Sequence, residues 1–169
     1  MEKIIAQLLD KVSNYQFLNN LIPGTLLCVI LPQLTSYDFM VADVWSNLVI
    51  IYFCGIIVSR FGSLFIEWLF LKCRIITFEP YPRYIMASEK APFIKTLSMD
   101  NNMYRTFIAL FFLLLLAKLS EYIGTFFSFW QDNLLWILCI LLLMLCVFAY
   151  IKQTKYIVKR INEQLKSNE

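Results

Sequence analysis

Four ionisable side chains, Arg60, Glu67, Lys118 and Glu121, interrupt stretches of sequence that are otherwise apolar. In lipid an unpaired charge near mid-bilayer costs about 2.5–3.5 kcal/mol on insertion scales, so each needs a counter-charge or water. At helical spacing Gly55, Ser59, Gly62, Ser63 and Glu67 fall on one broad face, with Arg60 at its edge. Lys118, Glu121, Thr125 and Ser128 fall on another, flanked by Ala117 and Gly124. Two chemistries suit such faces. One is structural ion pairing, in which Arg60 is expected to meet Glu121 and Glu67 a cation at its own end of the membrane. The other is a hydrophilic seam of Arg60, Ser63, Glu67, Lys118, Glu121, Thr125 and Ser128 that lines a pore when copies assemble. Rings of charged and hydroxyl side chains between apolar constrictions are how small channels select and gate ions. Four helices of one chain cannot enclose a wide conduit and still pack. The pore reading therefore requires a symmetric homo-oligomer, with a tetramer as the working expectation.

Other chemistries find no support. The chain has no histidine, which removes histidine-based zinc sites, HExxH proteases and Ser-His-Asp triads together. Only four glycines are present and none forms a phosphate-cradling loop. The five cysteines (28, 54, 73, 139 and 146) lack CxxC spacing and mostly sit in apolar runs, as small hydrophobes do. No metal, no cofactor and no enzymatic activity are expected.

The elements that must position these side chains are membrane helices. Residues 134–151, LLWILCILLLMLCVFAYI, carry no charge and as one helix span roughly 27 Å, close to the ~30 Å hydrocarbon core. Sixty per cent of all residues are apolar and the mean hydropathy is +0.66, outside the range of an ordinary globular domain. The fold class expected is an all-α integral membrane protein with four transmembrane helices at about 17–34, 44–71, 106–130 and 134–151. Pro23, Gly24 and Pro32 leave open whether 17–34 spans fully or is re-entrant. Glu2, Lys3, Asp10 and Lys11 rule against a cleavable signal. Residues 1–16 form instead an amphipathic helix in the interface, with Ile5, Leu8, Val12 and Tyr15 on one side. Residues 152–169 form a basic helical tail whose seam is Ile151, Thr154, Val158, Ile161 and Leu165.

Charge sets the orientation. The long connection 72–105 holds Lys72, Arg74, Arg83, Lys90, Lys95 and Arg105, and the tail holds Lys152, Lys155, Lys159, Arg160 and Lys166. The two other connections carry only Asp38, Asp43 and Asp132. By the positive-inside rule the loop, the tail and both termini face the cytoplasm. In the loop the cations alternate with Phe78, Tyr81, Tyr84 and Phe93, while Pro80 and Pro82 stiffen FEPYPRY. Asn101 and Asn102 are placed to cap the third span. Arg74, Arg83, Tyr84, Lys90, Lys95, Arg105, Lys155, Lys159 and Arg160 are thus candidates for an anionic ligand. A nucleotide or single-stranded oligonucleotide fits, because cations track phosphates and rings stack bases. Topology and anionic lipid alone also enrich such loops in cations, and a soluble partner protein is a further occupant of the same surface.

With its polar spans (Arg60, Glu67, Lys118, Glu121) and the basic-aromatic stretch from FEPYPRY to NNMYR, the chain resembles the small membrane effectors of bacterial anti-phage systems. In architecture it is similar to the channel effector of the Hailong type. That resemblance implies a multi-pass protein of the bacterial inner membrane, gated by single-stranded DNA oligomers. A non-conducting scaffold or a small transporter subunit is the alternative.

Overall fold

In the computed structural model the backbone is described for residues 2–91, 93–126 and 128–166. Side chains are described for 17–88, 90–91, 93–126, 129, 133–158 and 162. Every regular element among them is helical, and four helices are long and apolar enough to cross a membrane. The chain is a multi-pass membrane protein.

The first helix, α1 (Glu2–Leu34), runs unbroken through Pro23 and Pro32. Segment 17–34 is therefore an unbroken helix, one of the four long and apolar enough to cross a membrane. Residues 2–16 are helical and continuous in backbone with the rest of α1, with no glycine or proline before Pro23. Their side chains, including Ile5, Leu8, Val12 and Tyr15, lie outside the described residues.

A compact turn follows. Thr35 Oγ1 donates to the Leu31 carbonyl at 2.9 Å and accepts from the Tyr37 N–H at 3.2 Å. Asn47 clamps Val41 through two hydrogen bonds of 2.9 and 2.8 Å. Asp43 caps the next helix, accepting from both the N–H and the hydroxyl of Ser46 at 2.7 Å.

The second rod is α2 (Val44–Phe61), a π-helical turn (Gly62–Ile66) and α3 (Glu67–Lys72) in one line. It stops at Arg74, which takes the left-handed conformation (φ 55°) while the Ile75 N–H reaches back to the Phe70 carbonyl at 2.9 Å. α4 (Tyr81–Lys90) occupies the long connection. α5 (Phe93–Phe126) begins well before residue 106, so Asn101 and Asn102 lie within it and cap nothing. The polar stretch ahead of the third span has good helix formers and no proline after Pro92, and the helix simply continues beyond the apolar zone. Among the described residues α5 runs to Phe126 and α6 covers Ser128–Lys166, continuing from its apolar run into the tail. The tail seam at Ile161 and Leu165 lies outside the described side chains.

The core lies between α1, α2 and α5. It comprises Leu27, Cys28 and Leu31 from α1, Cys54, Val58 and Ile66 from the second rod, and Ala109, Leu110 and Leu114 from α5. Two glycines set the α1–α2 spacing. A methyl group at Gly55 would fall 1.7 Å from the Asn20 carbonyl oxygen, and one at Gly24 would fall 1.9 Å from that of Ile51. Backbones this close are the reason small residues mark helix contacts in membranes. By contrast, α6 lies at the periphery, with no buried residue in its most apolar window. Its Leu135, Ile140, Leu143 and Phe148 point outward, as expected for a helix facing acyl chains or a sister copy.

Candidate functional site

The intramembrane polar residues separate into three levels. At the first, Glu67 is buried at the junction of the π-helical turn and α3. Its Oε2 pairs with the Arg105 guanidinium from α5, and its Oε1 lies 2.9 Å from Lys152 Nζ of α6. The same ammonium donates to the Ser63 carbonyl at 2.5 Å and accompanies the Ser63 hydroxyl at 2.9 Å. A lysine has three N–H donors, and here all three are used. Ser63 lies within the π-helical turn Gly62–Ile66, a feature often found at functional sites. The cluster carries one carboxylate and two cations, and Arg105 Nε within it is buried without a partner. The expectation that Glu67 meets cations at its own membrane end holds in the structure.

The second level belongs to Glu121 on α5. Its Oε2 lies 2.7 Å from Lys118 Nζ one turn away, and its Oε1 accepts the Ser36 N–H at 2.7 Å. The carboxylate thus ties the third span to the turn after α1. Sixteen residues of α5 separate Arg105 from Glu121, about 24 Å at helical rise, a separation comparable to the ~30 Å hydrocarbon core. Thr125 spends its hydroxyl on its own helix, donating to the Tyr122 carbonyl at 2.7 Å. The side chain of Ser128 lies outside the described residues.

Arg60 forms the third level. Phe61 stacks on Phe112 with ring centroids 6.0 Å apart, which places Arg60 beside residue 112 of the antiparallel α5. Glu121 is nine residues further along, about 14 Å away in helical rise, well beyond ion-pair range. The expected Arg60–Glu121 pair is therefore corrected: Glu121 takes Lys118 and Ser36 instead. Arg60 is exposed and forms no ion pair among the described residues, about 10 Å along its rod from Glu67.

The two polar faces read from spacing do not form one continuous groove. Gly55 is consumed by the α1 backbone, and Gly62 faces Ala109 and the Arg105 carbonyl at 3.2 Å. Ser63 and Glu67 are closed within the chain by Lys152 and Arg105. What remains outward is Arg60, with Lys118 and Thr125 near the far end.

The candidate ligand residues are dispersed. Arg74 ends α3, exposed. On α4, Arg83 pairs loosely with Glu79 at 3.4 Å, and Tyr84 stacks with Tyr81 at 6.5 Å. Lys90, Lys95 and Lys155 are exposed. Arg105 pairs with Glu67 within the chain. The side chains of Lys159 and Arg160 lie outside the described residues. The sequence reading missed Lys152, although it is the first cation after the longest apolar run and so marks the same membrane boundary as Arg105. Among the described residues no group of three histidine, cysteine, aspartate or glutamate side chains converges on a metal position.

No protein-family model, no curated protein and no solved structure matches the chain.

Proposed function

We propose that the chain is the subunit of a homo-oligomeric membrane channel, with the exposed edge of α2 around Arg60 turned toward a shared aqueous axis. The observation that carries this reading is the position of Arg60: a cation near mid-depth, exposed, with no ion-pair partner among the described residues. Facing acyl chains it costs about 2.5–3.5 kcal/mol on insertion scales; facing water it costs little. One chain offers no conduit of its own, since the space between α1, α2 and α5 is filled by Leu27, Val58, Leu110 and Leu114. Copies related by symmetry, four as the working number, supply the enclosure. Two turns from Arg60 on the same face, Phe53 is exposed and suits an apolar constriction beside the charged ring.

By the positive-inside rule the connection 72–105 and the tail face the cytoplasm of a bacterial inner membrane. Their exposed Arg74, Arg83, Lys90, Lys95 and Lys155, with Tyr84, are the surface on which a nucleotide or single-stranded oligonucleotide gates the assembly. Opening such a channel depolarises the cell, the action of an anti-phage effector. The test is conductance of the purified chain in liposomes, with and without short single-stranded DNA. Channel currents under either condition are expected; electrical silence under both overturns the reading.

A second reading, a non-conducting scaffold, draws on the Glu67 cluster, whose ion pairs are closed inside one chain. It requires that neutralising Lys118 and Glu121 together leave function intact and that truncation after Lys155 abolish capture of a soluble partner.

A further inference from the structure

The polar groups sort by which are closed within the chain and which are left open, and the sorting has a sign. The Glu67 carboxylate has both oxygens occupied, by Arg105 and by Lys152. The Glu121 carboxylate is likewise shared between Lys118 and the Ser36 N–H. Neither acid is free to face permeating ions. Between these two levels stands Arg60, exposed and without an ion pair among the described residues. Lys118 adds an ammonium that is 60% exposed on its far side.

We infer that the channel formed by this chain conducts small inorganic anions of the chloride class and excludes cations, with Arg60 as the selecting residue. The inference rests on the channel reading above. Symmetry brings one Arg60 from each copy toward the axis, where like charges repel unless an anion lies between them. The planar guanidinium, weakly hydrated and rich in N–H donors, replaces part of an anion's water shell. Rings of arginine or lysine select anions by this means.

The competing charges are those of the mouths. Asp38 and Asp43 sit in the turn at the far end. Asp43 is seventeen residues from Arg60, about 25 Å along α2, and in solvent its field decays over about 8 Å at physiological ionic strength. A charge within the membrane is screened far less, so the ring at mid-depth outweighs the acidic mouth. At the other mouth exposed Lys72, Arg74, Lys90 and Lys95 raise the local anion concentration.

The experiment is reversal-potential measurement on the full chain in planar bilayers across a potassium chloride gradient, with Arg60→Gln and Arg60→Glu beside the parent. The parent is expected to favour chloride over potassium by about tenfold or more, the ratio set by about 1.4 kcal/mol between the ions at the constriction. Arg60→Glu is expected to invert that preference and Arg60→Gln to bring it near unity. Particle mass in detergent shows whether each variant assembles; if Arg60→Glu does not, the uncharged variant decides alone. A parent that passes potassium or fails to discriminate overturns the inference and leaves the channel intact. Chloride preference surviving in the variants overturns the role of Arg60. Silence of the parent overturns the channel reading and the inference with it.

Discussion

Lys152 lies 2.9 Å from Glu67 across 85 residues of sequence, and the contact fastens the peripheral helix α6 to the second rod. Because Arg105 reaches the other oxygen of the same carboxylate, three helices meet at one buried acid. The arrangement makes Glu67 a structural keystone of one membrane end.

Removing that acid leaves two cations facing each other in a half-buried site. Breaking a buried ion pair by deleting one partner costs about 3–5 kcal/mol. Glu67→Ala is therefore expected to lower the detergent melting temperature sharply, and Lys152→Met less so, because Arg105 still neutralises the acid. The double variant Glu67→Ala, Lys152→Met is expected to melt above Glu67→Ala alone. Additive losses would show that the two residues do not act on each other.

Gly55 and Gly24 hold α1 and α2 at a separation that admits no side chain. Over-packing a filled contact costs about 1–3 kcal/mol, and a methyl group 1.7 Å from the Asn20 carbonyl oxygen forces the backbone itself to move. Gly55→Leu is expected to raise protease sensitivity of the α1–α2 pair markedly. Gly62→Ala, whose nearest neighbours stand at 3.2 Å, is expected to be mild. Equal sensitivity of the two variants would place the close contact elsewhere.

Arg74 stops the second rod in a conformation that L residues avoid (φ 55°). Glycine relieves about 1–2 kcal/mol of that strain and returns roughly 0.5–1 kcal/mol through chain entropy. Arg74→Gly should thus stabilise by about 0.5–1 kcal/mol, read from denaturant or thermal unfolding. A destabilised variant would mean that the Arg74 side chain makes a contact worth more than the strain.

Asp43 caps α2 through the Ser46 hydroxyl and N–H, and these hydrogen bonds hold its carboxyl below the usual aspartate range. A depressed native value gives stability that is present above the unfolded-state value and lost as pH falls through the native one. Hydrogen exchange at Ser46 and Asn47 is expected to accelerate on acidification beyond the change in intrinsic rate. Asp43→Asn, which still caps, should abolish that acid dependence. Acid-independent protection in the parent would contradict it.

The four membrane helices were legible because lipid leaves little latitude: apolar runs this long, uncharged at 17–34 and 134–151 and carrying two charges each at 44–71 and 106–130, have few other readings. Their ends were less so. Charge and polarity mark where the bilayer stops, whereas helical hydrogen bonding continues through polar residues, so α5 and α6 outrun their apolar segments. Periodicity placed Ser63 and Glu67 on one face correctly. It could not reveal that Lys152 and Arg105 close that face, because pairing depends on which helices become neighbours. The same limit produced the Arg60–Glu121 expectation: opposite charges were matched without the vertical register, which the Phe61–Phe112 stack fixes.

The most direct test of the shared aqueous axis is thiol labelling at position 60. Three single-cysteine chains are compared: one with Arg60→Cys, one retaining only the native Cys73, exposed beyond the end of α3, and one with Leu143→Cys on the periphery of α6. A charged, membrane-impermeant reagent is expected to modify position 60 at a rate comparable to Cys73, in a particle containing several copies. Labelling as slow as at position 143, in a particle of a single chain, would contradict it.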